Sequence, residues 1–196
     1  MSNDFRSARF WAAALIEPAL YEGAKAIDAT MGNGQDTLWL CGQVGAKGRV
    51  YAFDIQSEAV SRTRDRLAAA GLEGRAELHC VGHEHMAEVI TEPVDVIMFN
   101  LGWLPGAAHG VTTRVETTLK AVNAGLELLK PDGLMTICVY PGHEEGAREL
   151  EALTRWAEGL DPRRYDAMLR RYMNQPNDPP CLIAVKRNLR KGETAL

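Results

Sequence analysis

Short apolar runs alternate with helical patterns along most of the chain. Ala24 to Ala29, Arg49 to Asp54, Ala76 to Val81, Val94 to Asn100 and Leu134 to Tyr140 have the length and composition of strands. Between them, Asp36 to Val44, Ser57 to Ala70, Glu84 to Ile90, Glu116 to Lys130 and Glu144 to Gly159 carry helical periodicity or helix-forming composition. Ser57 and Glu58 suit a helix start, and Gly71 and Pro131-Asp-Gly133 suit helix ends. Strict alternation predicts a mostly parallel sheet with helices on both faces, a doubly wound α/β fold, because right-handed crossovers place the helices there. Two further runs, Tyr165 to Tyr172 and Cys181 to Lys186, are joined only by the loop Asn174 to Pro180 and should pair antiparallel at the end of a seven-stranded sheet. An amphipathic helix from Ser7 to Glu17 precedes the first strand. Ala8, Trp11, Ala12 and Leu15 share one face, Arg9, Ala13 and Glu17 the other, and Pro18 should end or kink it.

At 196 residues, 46% hydrophobic and 24% charged, the chain reads as one packed domain over 1–196, with a helical segment at 1–22 and a basic strand pair at 163–191. Disordered, collagen-like and coiled-coil classes are excluded. Charged residues interrupt every apolar run near the N-terminus, so neither signal peptide nor membrane span is expected. Cys41, Cys80, Cys138 and Cys181 form no CxxC pair and read as small buried residues in a reducing cytoplasm. The net charge of −4 argues against a generic polyanion binder, yet from Arg163 onward eight bases face three acids, leaving the preceding residues at −9. That basic segment suits either a phosphate backbone or a solvated strand pair.

Candidate chemistry concentrates after the first strand, in Asp28-Ala-Thr-Met-Gly32-Asn33-Gly34-Gln-Asp36-Thr37, directly before a helix. Two glycines allow close approach of a ligand to the backbone, and the helix start offers free N–H groups, at the place where open parallel sheets bind ligands. The second strand ends in Asp54, followed by Ile55 and Gln56, where a carboxylate can accept both hydroxyls of a ribose. Thr37 stands where a dinucleotide fingerprint wants its third glycine, so NAD is the lesser candidate, and no phosphate-binding G-x-x-x-x-G-K-[ST] loop occurs. Asp28 suits a cofactor that lacks pyrophosphate and carries an amino-acid cation, which describes S-adenosylmethionine.

Four blocks carry a family resemblance: Asp28 to Thr37, Phe99-Asn-Leu-Gly-Trp-Leu-Pro-Gly106, Glu116-Thr-Thr-Leu119 with Leu128-Leu-Lys-Pro-Asp-Gly133, and Val139-Tyr-Pro-Gly-His143 followed by Asn174-Gln-Pro-Asn177. With them the chain resembles the class I S-adenosylmethionine-dependent methyltransferases, and among these the small bacterial MnmM (YtqB-like) tRNA methyltransferases once described as rRNA methylases. The resemblance implies a Rossmann-like fold and N-methylation of the 5-aminomethyl group on wobble 2-thiouridine of tRNA. Gln35, Trp103 and Arg114 depart from the His, Tyr and Lys usual in that family.

Methyl transfer from a sulfonium to a neutral amine chiefly demands alignment and exclusion of water. Asn100, at the end of the fourth strand, can accept an N–H of the amine and aim its lone pair, although a strand-terminal Asn is also a common turn former. Leu101, Gly102, Trp103, Leu104 and Pro105 then offer an apolar wall for a pyrimidine, with Arg114, Asn174 and Gln175 as further substrate contacts. Tyr140 is a candidate for positioning the base or amine. His143 is a candidate proton acceptor, with capping or packing as the plainer role. His83 and Glu84 fall where class I enzymes contact adenine. No third ligand accompanies His83 and His85, so no metal is expected. A homodimer is one assembly the sequence leaves open. Competing classes are an rRNA or small-molecule methyltransferase, a nicotinamide-dependent oxidoreductase and a non-catalytic nucleotide-binding module.

Overall fold

The computed structural model describes residues 7–102 and 113–189. Seven strands, β1 (Lys25–Asp28), β2 (Arg49–Phe53), β3 (Ala76–His79), β4 (Val94–Asn100), β5 (Leu129–Val139), β6 (Tyr165–Arg170) and β7 (Cys181–Arg187), form one sheet in the order β3-β2-β1-β4-β5-β7-β6. The pairings from β3 through β5 are parallel, and β7 runs antiparallel to both its neighbours. The expected doubly wound α/β architecture is therefore present. The antiparallel strand is β7, inserted before the edge strand β6.

Among the described residues six α-helices cover the sheet: α1 (Ala8–Ile16), α2 (Gln35–Val44), α3 (Ser57–Ala69), α4 (Met86–Val89), α5 (Val115–Leu128) and α6 (Glu144–Glu158). Alternation along β4 divides the core. Val96 and Met98 pack with Ala12, Ile16, Leu40 and Leu67 of α1 to α3, whereas Ile97 and Phe99 pack with Leu126 and Leu153 of α5 and α6. None of the described helices is long and apolar enough to cross a membrane.

Several local expectations are corrected. Pro131-Asp-Gly133 does not follow a helix end directly, because α5 stops at Leu128 and β5 already runs through the tripeptide. A shift in β4–β5 register between Val94 and Val96 and a left-handed Asp132 (φ 67) absorb the proline, which has no N–H to give the ladder. The segment from Glu84 to Ile90 is a 3-10 turn over His83–His85 followed by the single turn α4. Cys41, Cys138 and Cys181 are buried as expected, but Cys80 is exposed, since β3 ends at His79 and leaves it in the following turn. In α1 the buried stripe is Ala8, Ala12 and Ile16, with a 3-10 turn over Glu17–Ala19 where Pro18 interrupts the helix.

Candidate active site

Past the carboxyl end of β1 the chain turns through Thr30, Met31, Gly32 and Asn33 before Gly34 caps α2. Gly32 and Gly34 have left-handed φ of 49° and 74°. A Cβ on Gly34 would also lie 2.7 Å from the Thr63 hydroxyl and 2.9 Å from its Cα, so this position excludes any side chain on two grounds. Helix α3 clamps the loop: the Thr63 hydroxyl donates to Gly32 O (3.2 Å), Arg66 Nε to Asn33 O (2.8 Å) and Arg62 Nη1 to Asn33 Oδ1 (3.0 Å).

Two strand-end carboxylates support this loop. Asp28, 1% exposed, accepts the Thr37 hydroxyl (2.6 Å) and Thr30 N–H (3.2 Å). Burial, reinforced by the charge of Asp36, pushes its carboxyl up to about 7. Asp54 accepts Gly32 N–H at Oδ2 (3.1 Å) and Gln56 N–H at Oδ1 (2.9 Å), and burial raises its pKa above the ordinary value.

A cavity of ≈ 790 Å³ opens beside the loop. Gly32, Asn33, Asp36, Asp54, Ile55, Gln56, Gly82, His83, Glu84, Asn100, Leu101, Gly102, Arg114 and Tyr140 lie on its wall. The His83 ring is buried against the edge of Phe99, and its Nδ1 sits 3.2 Å from Ala29 O, which can only accept. Burial lowers its pKa, so the ring is neutral with Nδ1 as donor, leaving Nε2 as an acceptor with no partner among the described residues.

Across the cavity, polar side chains from four elements form one chain. The Tyr140 hydroxyl donates to Asn100 Oδ1 (2.7 Å), Asn100 Nδ2 donates to Asp36 Oδ2 (3.2 Å), and Arg9 Nη2 pairs with Asp36 Oδ1 (2.5 Å). Asn100 N–H donates to the Thr30 hydroxyl (2.7 Å), tying β4 to the glycine loop. Both ends of the Asn100 amide are thus assigned by their partners. Burial pushes Tyr140 up to about 12, so its phenol stays protonated and remains a donor.

Gly102 and Thr113, both on the cavity wall, are bonded to each other. Gly102 N–H donates to the Thr113 hydroxyl (3.0 Å), and Thr113 N–H donates to Gly102 O (3.1 Å). The same hydroxyl donates to Glu149 (2.9 Å), a buried carboxylate that also accepts from Thr118 (2.8 Å) and whose pKa burial raises.

Of the residues expected from sequence, Asp28, Gly34 and Thr37 lie beneath the cavity rather than on its wall. His143 caps α6, its Nδ1 accepting Gly146 N–H at 3.1 Å, and is not on the wall. Asn174 and Gln175 are exposed outside the cavity. Trp103, Leu104 and Pro105 lie outside the described residues. Sequence reasoning missed Arg9, Thr30, Thr113 and Thr117, all lining residues. Thr30 was visible within the glycine-rich block, whereas Arg9 gave no signal because its partner lies on another element. Among the described residues no group of three His, Cys, Asp or Glu side chains is placed to hold a metal ion.

Residues 50–186 match the family described as "Putative rRNA methylase". The chain is 37% identical over 183 residues to the chloroplastic tRNA (mnm(5)s(2)U34)-methyltransferase of Arabidopsis thaliana, covering 87% of this chain and 66% of that protein. It therefore spans just under two thirds of that relative's length. Among solved structures it is similar to a "putative rRNA-methylase" from Clostridium thermocellum, with TM-score 0.91, 36% identity, and 92% and 97% of the two chains covered. A "putative methyltransferase" from Streptococcus mutans, solved in complex with SAH, aligns with TM-score 0.85 and 34% identity over 92% of this chain and 98% of that one.

Proposed function

The chain belongs to the family described as "Putative rRNA methylase", and from that membership we propose that it is an S-adenosylmethionine-dependent tRNA methyltransferase. In this reading one domain N-methylates the 5-aminomethyl group of wobble 5-aminomethyl-2-thiouridine. The observation that carries the proposal is the fixed amide of Asn100, held between Tyr140 and Asp36 on the wall of a cavity next to the glycine loop. The name of the Arabidopsis relative supports the nucleoside.

The wall suits S-adenosylmethionine on its own chemistry. Asp54 keeps lone pairs beyond its two backbone bonds for a ribose diol, and His83 Nε2, without a partner among the described residues, offers an acceptor beside Glu84 for an adenine amine. Gly32, with a left-handed φ of 49°, presents bare backbone at the cavity surface. When bound, this cofactor supplies a sulfonium methyl as the electrophile.

The protein's own groups then do the aligning. Tyr140 and Asp36 hold the Asn100 amide so that its oxygen, with a second lone pair, can accept one N–H of a neutral amine and direct the nitrogen lone pair. Leu101 and Phe53 add apolar surface to the wall, and Gly102 and Thr113, also on the wall, are bonded to each other. Orientation of this kind is worth orders of magnitude in rate without any acid or base at the reacting nitrogen.

The test is nucleoside mass analysis after incubating the protein with S-adenosylmethionine and tRNA carrying the 5-aminomethyl form. Gain of one methyl on the wobble nucleoside is expected. An unmodified wobble nucleoside together with methylated rRNA or a methylated small-molecule amine would overturn the substrate assignment.

A further inference from the structure

Helix α6 buries Gly146, Glu149 and Leu153 along one stripe, so a carboxylate stands where the spacing calls for an apolar side chain. Glu149 is 1% exposed. Its oxygens are taken by two hydroxyls rather than by a cation: Oε2 accepts from Thr113 (2.9 Å) and Oε1 from Thr118 (2.8 Å). Burying an acid in this way costs more than burying a leucine of similar size. A position that breaks the apolar pattern at such a cost marks a place where the acceptors themselves are needed.

Glu149 is not on the cavity wall, but Thr113 is. A hydroxyl has a single proton, and Thr113 gives it to Glu149, which leaves its oxygen as the acceptor for Gly102 N–H (3.0 Å). Thr113 N–H returns to Gly102 O (3.1 Å). With this pair, successive N–H groups of the wall are all anchored: Asn100 on the Thr30 hydroxyl (2.7 Å), Leu101 on Cys138 O (3.0 Å) and Gly102 on the Thr113 hydroxyl. Gly102 has φ of 124°, a region glycine enters and leaves at little cost, so its own backbone preference does little to hold it and the bonds to Thr113 must.

The same carboxylate reaches the start of α5. Thr118, its second partner, is buried one turn into that helix, and Glu145, a turn earlier on α6, accepts Val115 N–H (3.4 Å). Acids are favoured beside a helix N-terminus. Arg114 and Thr117, from this first turn, line the cavity together with Thr113 and Gly102.

We propose that Glu149 is a positioning residue for methyl transfer: by taking the Thr113 proton it fixes Gly102, and through Gly102 the stretch of wall that carries Asn100. The inference rests on the reading above in which Asn100 aligns the amine, and it adds a residue that touches neither substrate nor cofactor. The site requires an acceptor held at the reach of Thr113, whatever its charge.

The experiment compares the intact chain with Glu149→Gln, Glu149→Asp and Glu149→Leu, and with Leu153→Ala as a control for lost packing one turn along the same stripe. Single-turnover methyl transfer to aminomethyl tRNA, KM for tRNA, calorimetric binding of S-adenosylhomocysteine, thermal melts and amide exchange of Leu101 and Gly102 are measured on each. Glutamine keeps an oxygen toward Thr113 and can donate to a Thr118 hydroxyl turned to accept, so its kcat should stay within about twofold of the intact value. Aspartate keeps the charge but is one methylene too short. Its kcat should fall about tenfold, with KM for tRNA and S-adenosylhomocysteine affinity each within about twofold. Its Gly102 amide should exchange faster while Leu101 stays protected. Glu149→Leu should lose at least as much rate as Glu149→Asp. Leu153→Ala should melt lower yet keep the kcat and the Gly102 exchange of the intact chain.

An unchanged kcat in Glu149→Asp, or a loss no larger than that in Leu153→Ala, would reduce Glu149 to packing and overturn the proposal. So would a Glu149→Gln variant as slow as Glu149→Asp, because charge would then be the requirement. Should Glu149→Leu fail to fold, the comparison of Gln with Asp decides alone. Slowed transfer in Glu149→Asp with Gly102 exchange unchanged sinks the route through Thr113. An intact chain that methylates no aminomethyl tRNA, while Gly102 exchange responds to Glu149→Asp as expected, sinks the functional reading instead.

Discussion

The Tyr140 hydroxyl donates to Asn100 Oδ1 across 2.7 Å, joining the ends of two adjacent parallel strands at the cavity wall. This bond decides which end of the amide is presented as acceptor, because the amine end is already committed to Asp36. Tyr140→Phe should therefore lower kcat about tenfold by releasing the amide, with S-adenosylhomocysteine affinity nearly unchanged. Asn100→Ala should lower kcat further. Single-turnover rates on tRNA check both. Since the Tyr140 pKa is pushed up to about 12, no tyrosine ionisation should appear in the pH–rate profile of the intact enzyme through the neutral range. Equal rates for Tyr140→Phe and the intact chain would remove the bond from the mechanism.

Arg9 reaches this constellation from outside the α/β unit. Its guanidinium pairs with Asp36 and bonds Gln35 Oε1 at 3.3 Å, so α1 braces the first turn of α2. Arg9→Ala leaves Asp36 without its cation and free to swing from Asn100. We expect kcat to fall about tenfold, with partial rescue by Arg9→Lys, which restores charge but not the two-point contact. A purely structural role would instead lower thermal stability and spare kcat of the folded fraction.

Asp54 has two separable jobs. It accepts backbone N–H groups from Gly32 and Gln56, and it faces the cavity where a ribose is proposed. Asp54→Ala should cost roughly 1–3 kcal/mol of stability by orphaning the two donors and should abolish stabilisation by S-adenosylhomocysteine. Asp54→Asn keeps an acceptor for one N–H and should preserve more stability while still losing most ligand binding. Thermal melts with and without ligand separate the two effects.

Much of this arrangement was legible before the fold was known. Apolar runs with strand composition located all seven strands, and Gly32, Asp54, Asn100 and Tyr140 each stand where strand ends meet in a doubly wound sheet. Arg9 was not legible, because the alanine-rich α1 gives little information about its rotational phase and Asp36 is distant in sequence. Asp28 reads as a ligand group from position alone, yet Thr37 and Thr30 draw its carboxylate beneath the loop. His143 caps α6, the plainer of the roles read for it from sequence, although that position is more often held by Ser, Thr, Asp or Asn. Pro131-Asp-Gly133 carries the chemistry of a turn, and only the β4–β5 register shows that an irregularity in the ladder takes it up.

The buried Asp28 gives the fold a pH dependence of definite sign. In the unfolded chain its carboxyl ionises near the ordinary value of 3.8, whereas burial and the neighbouring Asp36 hold the folded carboxyl protonated until about 7. Between these values the folded state binds more protons, so Asp28 makes stability fall as pH rises, with its full cost present above pH 7. Half-buried Asp54 and buried Glu149 act in the same direction, while His79 and His83, lowered by burial, act oppositely. The slope of the intact protein alone is therefore ambiguous, and the difference from Asp28→Asn isolates this group. Asparagine suits the site: its oxygen can accept Thr30 N–H while its amide donates to a Thr37 hydroxyl turned to accept. The variant should match the intact protein near pH 4 and exceed it in stability near pH 8, by at most roughly 4 kcal/mol. Urea unfolding across that range checks the prediction, and a stability difference that stays constant with pH would mean that Asp28 is ionised in the folded protein throughout.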